Sequence, residues 1–260
     1  MKVLLALAAY NEERGLPQVL ERFRRQAVSA GWSVGVVVVD DGSTDGTGRV
    51  IEEWSAVLPI ELMRHPSNRG LGESIQDALG LAARLAEPED VIVTMDADNS
   101  HAPELIGEMV RRIAEGNDVV IASRYRAGAG VVGLGRFRHL MSYGARVLFQ
   151  VLLPIPGVRD YTCGFRAYRA RTVQEAFQAY AGQLATERGF ASMAEILLKL
   201  RRLGARMCEV PMVLRYDRKG GASKMKIPAT VLATLRLMAR NRVAACVGSR
   251  RKEGRPRRQH

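Results

Sequence analysis

The chain of 260 residues has few cysteines, few aromatic residues and no long apolar run. Its three cysteines, Cys163, Cys208 and Cys246, form neither a C-x-x-C pair nor an even-numbered set, which favours free thiols in a reducing compartment. No apolar run reaches the roughly 20 residues that a transmembrane helix needs, so we expect any membrane contact to be peripheral. The apolar N-terminus runs directly into polar residues and fits a buried strand better than a secretion signal.

The net charge of the chain is +12, and few acidic residues lie in its last quarter. Residues 199–260 contain 18 Lys and Arg against three Asp and Glu, whereas residues 1–198 contain 21 basic and 24 acidic residues. This asymmetry predicts an anionic partner at the C-terminal end, which could be lipid headgroups, substrate phosphate or nucleic acid. For residues 250–258 alone, a solubilising tail explains the charge equally well.

Apolar β-branched runs alternate with amphipathic helical patterns through the first half of the chain. The patterns predict strands over 2–9, 33–39, 59–63 and 118–123 around a central strand from Val91, with helices over 16–30, 47–57, 71–86 and 104–115. Such alternation predicts an α/β fold, a mostly parallel sheet covered by helices on both faces. The second half predicts a mobile Gly-rich loop over 127–135, helices over 137–153, 191–203 and 228–243, strands over 164–168 and 205–214, and a basic loop over 216–226.

Two carboxylates, Asp96 and Asp98, stand at the end of the predicted central strand. Side chains two apart on a strand point to one side, so this D-x-D pair can aim two oxygen ligands at one point. Mg²⁺ or Mn²⁺ is commonly held by one or two protein carboxylates, while a substrate diphosphate supplies further ligands. The pair therefore predicts a divalent cation bound between protein and nucleotide.

A second acidic turn, residues 40–47, ends the second predicted strand with Asp40, Asp41 and Asp45. One such residue can cap the following helix, and that interpretation needs no ligand. Three carboxylates exceed what a cap needs, and the surplus suggests acceptors for nucleobase N–H and ribose hydroxyl groups. Tyr10, Asn11 and Glu12 end the first strand and are predicted to face the same cleft.

The ordered motifs A-x-Y-N-E, V-D-D-G-S-x-D-G-T, N-R-G-L-G, D-A-D-x-S-H-x-P-E, S-R-Y and D-x-x-x-G-F-R lie between Ala8 and Arg166. Together they resemble the family 2 glycosyltransferases of the GT-A fold, with the greatest likeness to the polyprenol-phosphate (dolichol-phosphate) mannosyltransferase branch, and the resemblance covers residues 2 to about 226. It implies a GT-A domain over residues 1–226. The residue pattern and charge of the remaining chain predict an amphipathic, membrane-associated helix over 227–248 and a basic, disordered tail over 249–260.

The resemblance also implies a role for each matching residue. A metal ion would be bound by Asp96, Asp98 and Ser100, and the acceptor lipid phosphate by Arg124, Arg138 and Ser142. Asp96, Asp98, Arg124 and Asp160 would be catalytic, Glu195 matches a recurring helix carboxylate, and Arg218, Ser223 and Lys224 match a loop that closes over the diphosphate. The nucleotide sugar would contact Ala8, Tyr10, Asn11, Glu12, Asp40, Asp41, Gly70, Asp96, Ala97, Arg218 and Lys224.

Some positions depart from the family pattern or allow two interpretations. Ala8 occupies the usual proline of the first motif, and Cys163 occupies a position where serine is common, which removes a hydroxyl contact. His101 is either a structural residue of its turn or a donor near the diphosphate. We predict that His65 and His139 are surface residues.

The implied reaction is transfer of a hexose, with inversion, from a nucleotide sugar to a polyprenyl phosphate on the cytoplasmic face of the membrane. GDP-mannose is the first choice of donor through resemblance, and UDP-glucose and other UDP-hexoses stay open. A soluble acceptor is the alternative to the lipid. A nucleic-acid partner ranks last because it leaves the acidic strand ends unexplained, and no protein partner can be identified.

Overall fold

The computed structural model describes residues 1–133, 136–218 and 236, with the backbone alone for 136–141 and 145. The predicted helix over 227–248, the tail, Ser223, Lys224 and the side chains of Arg138 and His139 therefore lie outside the described residues. Within the described part of the chain, no helix is both long and apolar enough to cross a membrane.

The described residues form nine strands in two sheets. Their bounds are β1 Lys2–Ala9, β2 Ser33–Asp40, β3 Ile60–Arg64, β4 Val91–Asp96, β5 Val119–Ser123, β6 Gly130–Val132, β7 Arg166–Arg169, β8 Met207–Pro211 and β9 Val213–Arg215. The main sheet has seven strands in the order β3-β2-β1-β4-β7-β5-β8, and β6 pairs with β9 in a small parallel sheet. Only β7 runs antiparallel to its neighbours among these strands, so the predicted mostly parallel sheet is confirmed.

The central strands are buried on both faces, which explains their continuous apolar runs. Seven α-helices lie in the part of the chain that the structure describes: α1 Leu16–Ala30, α2 Thr47–Ser55, α3 Leu71–Leu85, α4 Ile106–Ala114, α5 Arg136–Leu152, α6 Ala170–Ala179 and α7 Ala191–Arg202. Helices α3, α6 and α7 contact one another on one side of the sheet. Helix α1 packs against α2 and against the 3₁₀ turn Pro103–Leu105, which leads into α4.

Three predictions for the second half need correction. Residues 127–135 are not a loop throughout, because Gly130–Val132 forms β6 beside β9. The single strand expected over 205–214 is two strands, which Met212 separates as the chain leaves the main sheet for the small one. Helix α6 was not predicted, although its buried residues Ala170, Val173 and Ala176 recur at helical spacing.

Candidate active site

The ends of β1, β2 and β4 lie at one edge of the main sheet. Ala8 is in register with Asp96 of β4, and Ala9 with Asp40 of β2. The loop after β1 packs closely on the D-x-D turn, residues 96–101, since a Cβ on Gly15 would lie 2.7 Å from the Ala97 carbonyl oxygen. The predicted cation and nucleotide residues therefore occupy one continuous edge, where open α/β sheets bind ligands.

Side chains of helix α1 hold the D-x-D turn in place by hydrogen bonds. Asn99 adopts a left-handed conformation with φ of 62°, and its side-chain oxygen accepts a hydrogen bond of 2.6 Å from Arg22 Nη1. Its amide nitrogen donates to Gln18 at 2.6 Å. Arg22 also forms an ion pair with Glu104 at 2.7 Å. Sequence reasoning missed Arg22, because nothing in the spacing of 77 residues links it to Asn99.

Asp96 and Asp98 differ in exposure. The Asp96 side chain is 34% exposed, and a Cβ on Gly164 would lie 3.2 Å from its Oδ1, so the G-F-R motif borders the D-x-D turn. Asp98 is buried and its Oδ1 accepts a hydrogen bond of 3.0 Å from the Ser100 amide. Of the two interpretations of His101, the contacts favour the structural one: the ring stacks on Phe165 and its Nδ1 accepts from the Asp96 amide at 3.1 Å.

The donors present suit a hard divalent cation. In the described residues, no group of three or more His, Cys, Asp and Glu side chains could hold a metal ion. The protein thus offers the two carboxylates and the nearby Ser100, and a Mg²⁺ or Mn²⁺ ion there would take further oxygens from a diphosphate and water. Asp96, Asp98 and Ser100 fit such a half-filled coordination shell.

Each carboxylate of the acidic turn already has internal contacts. Asp45 accepts hydrogen bonds from the Thr47 amide at 3.0 Å and from the Thr47 hydroxyl, while the residue that caps α2 is Gly46. Burial would raise the pKa of Asp45, but hydrogen bonds from Thr47 and from the Glu13 amide together outweigh burial and lower the pKa. Asp40 accepts from the Ser43 amide at 2.9 Å and pairs with Arg64 at 3.0 Å.

The residues after β1 join this edge to the acidic turn. Asn11 is left-handed, with φ of 53°; its side-chain oxygen accepts from the Thr44 amide at 2.8 Å, and its own amide donates to Ser43 Oγ at 3.0 Å. The Glu12 amide donates to Thr47 Oγ1 at 2.8 Å. The predicted nucleotide residues of the first and second motifs are therefore brought together by direct hydrogen bonds.

Asp41 connects the acidic turn to the loop before α3. Its carboxylate accepts from the amides of Arg69 and Gly70, each at 2.8 Å. It also contacts His65 Nδ1 at 2.7 Å. The prediction that His65 is a surface residue was wrong, since the residue is only 4% exposed.

Arg124 and Asp160 form a buried pair at the end of β5. The guanidinium donates to both carboxylate oxygens at 2.8 and 2.7 Å and to Thr162 at 2.9 Å. Burial alone would raise the pKa of Asp160, but the Arg124 charge and the hydrogen bonds from Arg124 and Cys163 together outweigh burial and lower the pKa. The Asp160 side chain has no exposed surface, and its carboxylate accepts hydrogen bonds from Arg124 and from the Cys163 amide.

Ser142 lies beside this pair, on α5. Its hydroxyl and the Tyr125 hydroxyl are 2.6 Å apart. The Arg146 guanidinium lies 4.8 Å from the centre of the Tyr125 ring, so a second cation joins the predicted acceptor cluster. Sequence reasoning did not assign Arg146 to the site, although its spacing of four residues from Ser142 on a helix was a usable signal.

Two further predicted residues lie near this edge. Glu195 accepts from Thr186 and Glu187 amides at 2.7 and 2.8 Å and pairs with Lys199, so it shapes the loop over 186–189. Arg218 is exposed and ends the 3₁₀ turn after β9. That turn is anchored near the D-x-D turn, because the Arg215 amide donates to the Ser100 carbonyl at 2.9 Å.

Comparison with known proteins agrees with this geometry. The family model described as glycosyl transferase family 2 matches residues 5–177. The dolichol-phosphate mannosyltransferase of Pyrococcus furiosus is 32% identical over 227 residues, which are 87% of this chain and 60% of that protein. The undecaprenyl-phosphate mannosyltransferase of Micrococcus luteus is 32% identical over 226 residues, which are 86% of this chain and 88% of that protein.

Solved structures share the fold at lower identity. Glucosyl-3-phosphoglycerate synthase from Mycobacterium tuberculosis, in complex with phosphoglyceric acid, has a TM-score of 0.62 at 20% identity, over 92% of this chain and 78% of that one. The same enzyme has been solved with Mn²⁺ and uridine diphosphate. The matched family model and the 32% identical relatives show that the chain belongs to glycosyl transferase family 2, in the GT-A fold.

Proposed function

We propose that this protein transfers a hexose, with inversion, from a nucleotide sugar to a polyprenyl or dolichyl phosphate at the cytoplasmic face of the membrane. The observation that supports the proposal is the register of Ala8 with Asp96 and of Ala9 with Asp40, because it brings the ends of β1, β2 and β4 together, where we propose that the cation and the nucleotide bind. The mannosyltransferase names of the 32% identical relatives support mannose, and GDP-mannose is the proposed donor.

We propose that the nucleotide sugar binds at the sheet edge formed by the ends of β1, β2 and β4. Asp96 and Asp98 would hold Mg²⁺ or Mn²⁺, which when bound stabilises the negative charge that grows on the departing diphosphate. Arg218 ends the 3₁₀ turn after β9, in which the Arg215 amide donates to the Ser100 carbonyl, and we assign to Arg218 a positive charge beside the diphosphate. Lys224 is proposed to act beside it, although it lies outside the described residues.

The acceptor side uses the basic cluster around α5. A phosphate monoester with a second pKa of about 6 is largely dianionic at neutral pH and attacks without a strong general base. The Arg124 charge is balanced by Asp160, so we assign much of the remaining attraction for phosphate to Arg146 and to Arg138. Ser142 would donate a hydroxyl hydrogen bond, while Arg124 sets the position of Tyr125 and the chain that follows it.

A donor panel tests the proposal. Purified protein is incubated with short-chain polyprenyl phosphate, Mg²⁺ or Mn²⁺ and either GDP-mannose or UDP-glucose, and nucleoside diphosphate release and lipid product are both measured. We expect mannosyl lipid from GDP-mannose. If lipid product forms only from UDP-glucose, the donor is UDP-glucose and not GDP-mannose. Transfer only to soluble acceptors would overturn the lipid assignment.

Two variants test the D-x-D turn in the same assay. Asp96→Asn and Asp98→Asn each exchange an anionic ligand for a neutral amide of equal size, so we expect kcat to fall by about 100-fold or more. Glu89→Gln is the matched control, because Glu89 is an exposed partner of Arg171 that precedes the start of β4, at the opposite end of that strand. Activity of both turn variants near that of the control would contradict the metal role.

A further inference from the structure

His65 lies between two carboxylates in the loop that joins β3 to α3, residues 65–70. Its Nδ1 is 2.7 Å from Asp41 Oδ1, and its Nε2 is 3.0 Å from Asp77 Oδ2 on α3. The ring is buried, and Asp77 is 31% exposed and also lies 3.6 Å from Arg69 Nη1. His65 therefore bridges the acidic turn and α3 through both ring nitrogens.

This bridge fixes a close contact between the β3–α3 loop and the acidic turn. The carboxylate of Asp41 receives the amides of Arg69 and Gly70, and the His65 amide donates to the Asp40 carbonyl at 2.9 Å. Gly42 has a φ of 72°, and a Cβ there would lie 2.6 Å from the Ser67 carbonyl carbon. The loop thus lies directly on the acidic turn, with no space for a side chain at Gly42 between them.

We propose that His65 is a positioning residue for the donor nucleotide, which ties Asp41 to Asp77 through its two ring nitrogens. The contact of Nδ1 with Asp41 holds that carboxylate in place, and Asp41 in turn orients the Arg69 and Gly70 amides. This inference rests on the proposed function, in which the acidic turn and Gly70 contact the donor.

Two substitutions separate the two ends of the bridge. The side-chain amide nitrogen of asparagine takes the place of Nδ1, so His65→Asn keeps the hydrogen bond to Asp41 and loses the one to Asp77. The side-chain amide nitrogen of glutamine takes the place of Nε2, so His65→Gln keeps only the hydrogen bond to Asp77. We expect His65→Gln to raise the donor KM and the Kd for GDP by about tenfold, the loss of one hydrogen bond to a charged group. His65→Asn should recover most of this, while kcat and the acceptor KM stay within about threefold in both.

The measurements are steady-state kinetics, calorimetric titration of GDP and UDP with Mg²⁺, and the thermal unfolding midpoint of each variant, with Glu89→Gln as control. Equal rises in donor and acceptor KM, or nucleotide affinity equal in wild type and His65→Gln, would overturn the role of His65 alone. Wild-type protein that binds neither nucleotide would overturn the proposed function together with this role.

Discussion

At the scale of single residues, the site depends on charges that are buried together. Arg124 has a pKa well above its usual value, because Asp160 more than offsets the lowering effect of burial. Cys163 lies against the same pair, and burial, aided by the Asp160 charge, raises the pKa of its thiol to about 12. Serine and cysteine at this position differ in hydrogen bonding, but neither brings a charge to the pair.

The Cys163 thiol should resist alkylation in the folded protein. A thiol with a pKa of about 12 has almost no reactive thiolate at about pH 8. We expect iodoacetamide to leave Cys163 unmodified under native conditions and to modify it after unfolding in urea, as measured by peptide mass spectrometry. Cys208, which is only partly buried, is the internal comparison. Rapid native labelling of Cys163 would contradict the burial of the pair.

Asp160→Asn should destabilise the protein by about 3–5 kcal/mol at pH 7, because it leaves the buried Arg124 charge without its partner. The pKa of Asp160 is lowered in the folded state, so its contribution to stability is present above its unfolded pKa of about 3.9 and is lost as pH falls through the folded pKa. The difference between Asp160→Asn and wild type in the free energy of unfolding, measured in urea, should therefore become smaller in acid.

The double variant Arg124→Met/Asp160→Asn provides the control for this pair. We expect it to be more stable than Asp160→Asn alone, because no uncompensated charge stays buried. Strictly additive effects of the two substitutions would show that the pair is not coupled.

At the scale of elements, helix α3 connects two parts of the site. One is the acidic turn, residues 40–47, and the other is the loop over 186–189, which Glu195 holds by hydrogen bonds. Gly72 of this helix faces that loop, because a Cβ there would overlap the Glu187 carbonyl oxygen. Glycine is a poor helix former, so its presence in the first turn is explained by close packing rather than by helix propensity. The sequence shows the N-R-G-L-G motif, but not which segment lies against it.

Gly72→Ala and Gly144→Ala should have opposite effects on stability. Alanine at 72 meets a backbone atom that cannot move alone, so we expect a loss of about 1–3 kcal/mol. At Gly144, on α5, an alanine methyl group would have no described atom of another element within 4 Å, so alanine there should add about 0.5–1 kcal/mol through helix propensity. Urea unfolding measures both, and a stabilising Gly72→Ala would contradict the contact.

At the scale of the whole molecule, charge is divided between a nearly neutral body and a strongly basic C-terminal end. The described part of the basic end reaches Arg218, on the 3₁₀ turn after β9, whose Arg215 amide donates to the Ser100 carbonyl of the D-x-D turn. The proposed membrane contact therefore starts close to the site where a lipid phosphate would react.

Binding to vesicles tests this arrangement. We expect the protein to sediment with vesicles that contain anionic lipid at about 0.1 M salt, and to be released as salt screens the interaction. Neutral phosphatidylcholine vesicles are the control. Replacing the six basic residues of 250–258 by glutamine should weaken binding, whereas unchanged binding would identify that segment as a solubilising tail.

The sequence by itself determined the parallel α/β sheet and the order of its acidic strand ends. Periodicity is a local property, and β4 shows this well: its apolar residues and Asp96 are consecutive in the chain. The family motifs are local too, since each lies within a few residues of a strand end. Helix α6 was missed although its buried residues recur at helical spacing, so the local signal for it was present in the sequence.

Tertiary structure alone decided how these residues are used. The sequence around His65 indicates a surface residue, yet Asp41 and Asp77 meet its ring from two other elements. The hydrogen bond from Arg22 to Asn99 likewise joins residues that are far apart in the chain. Pairing of distant polar groups depends on which elements the packing brings into contact, and no local pattern of residues contains that information.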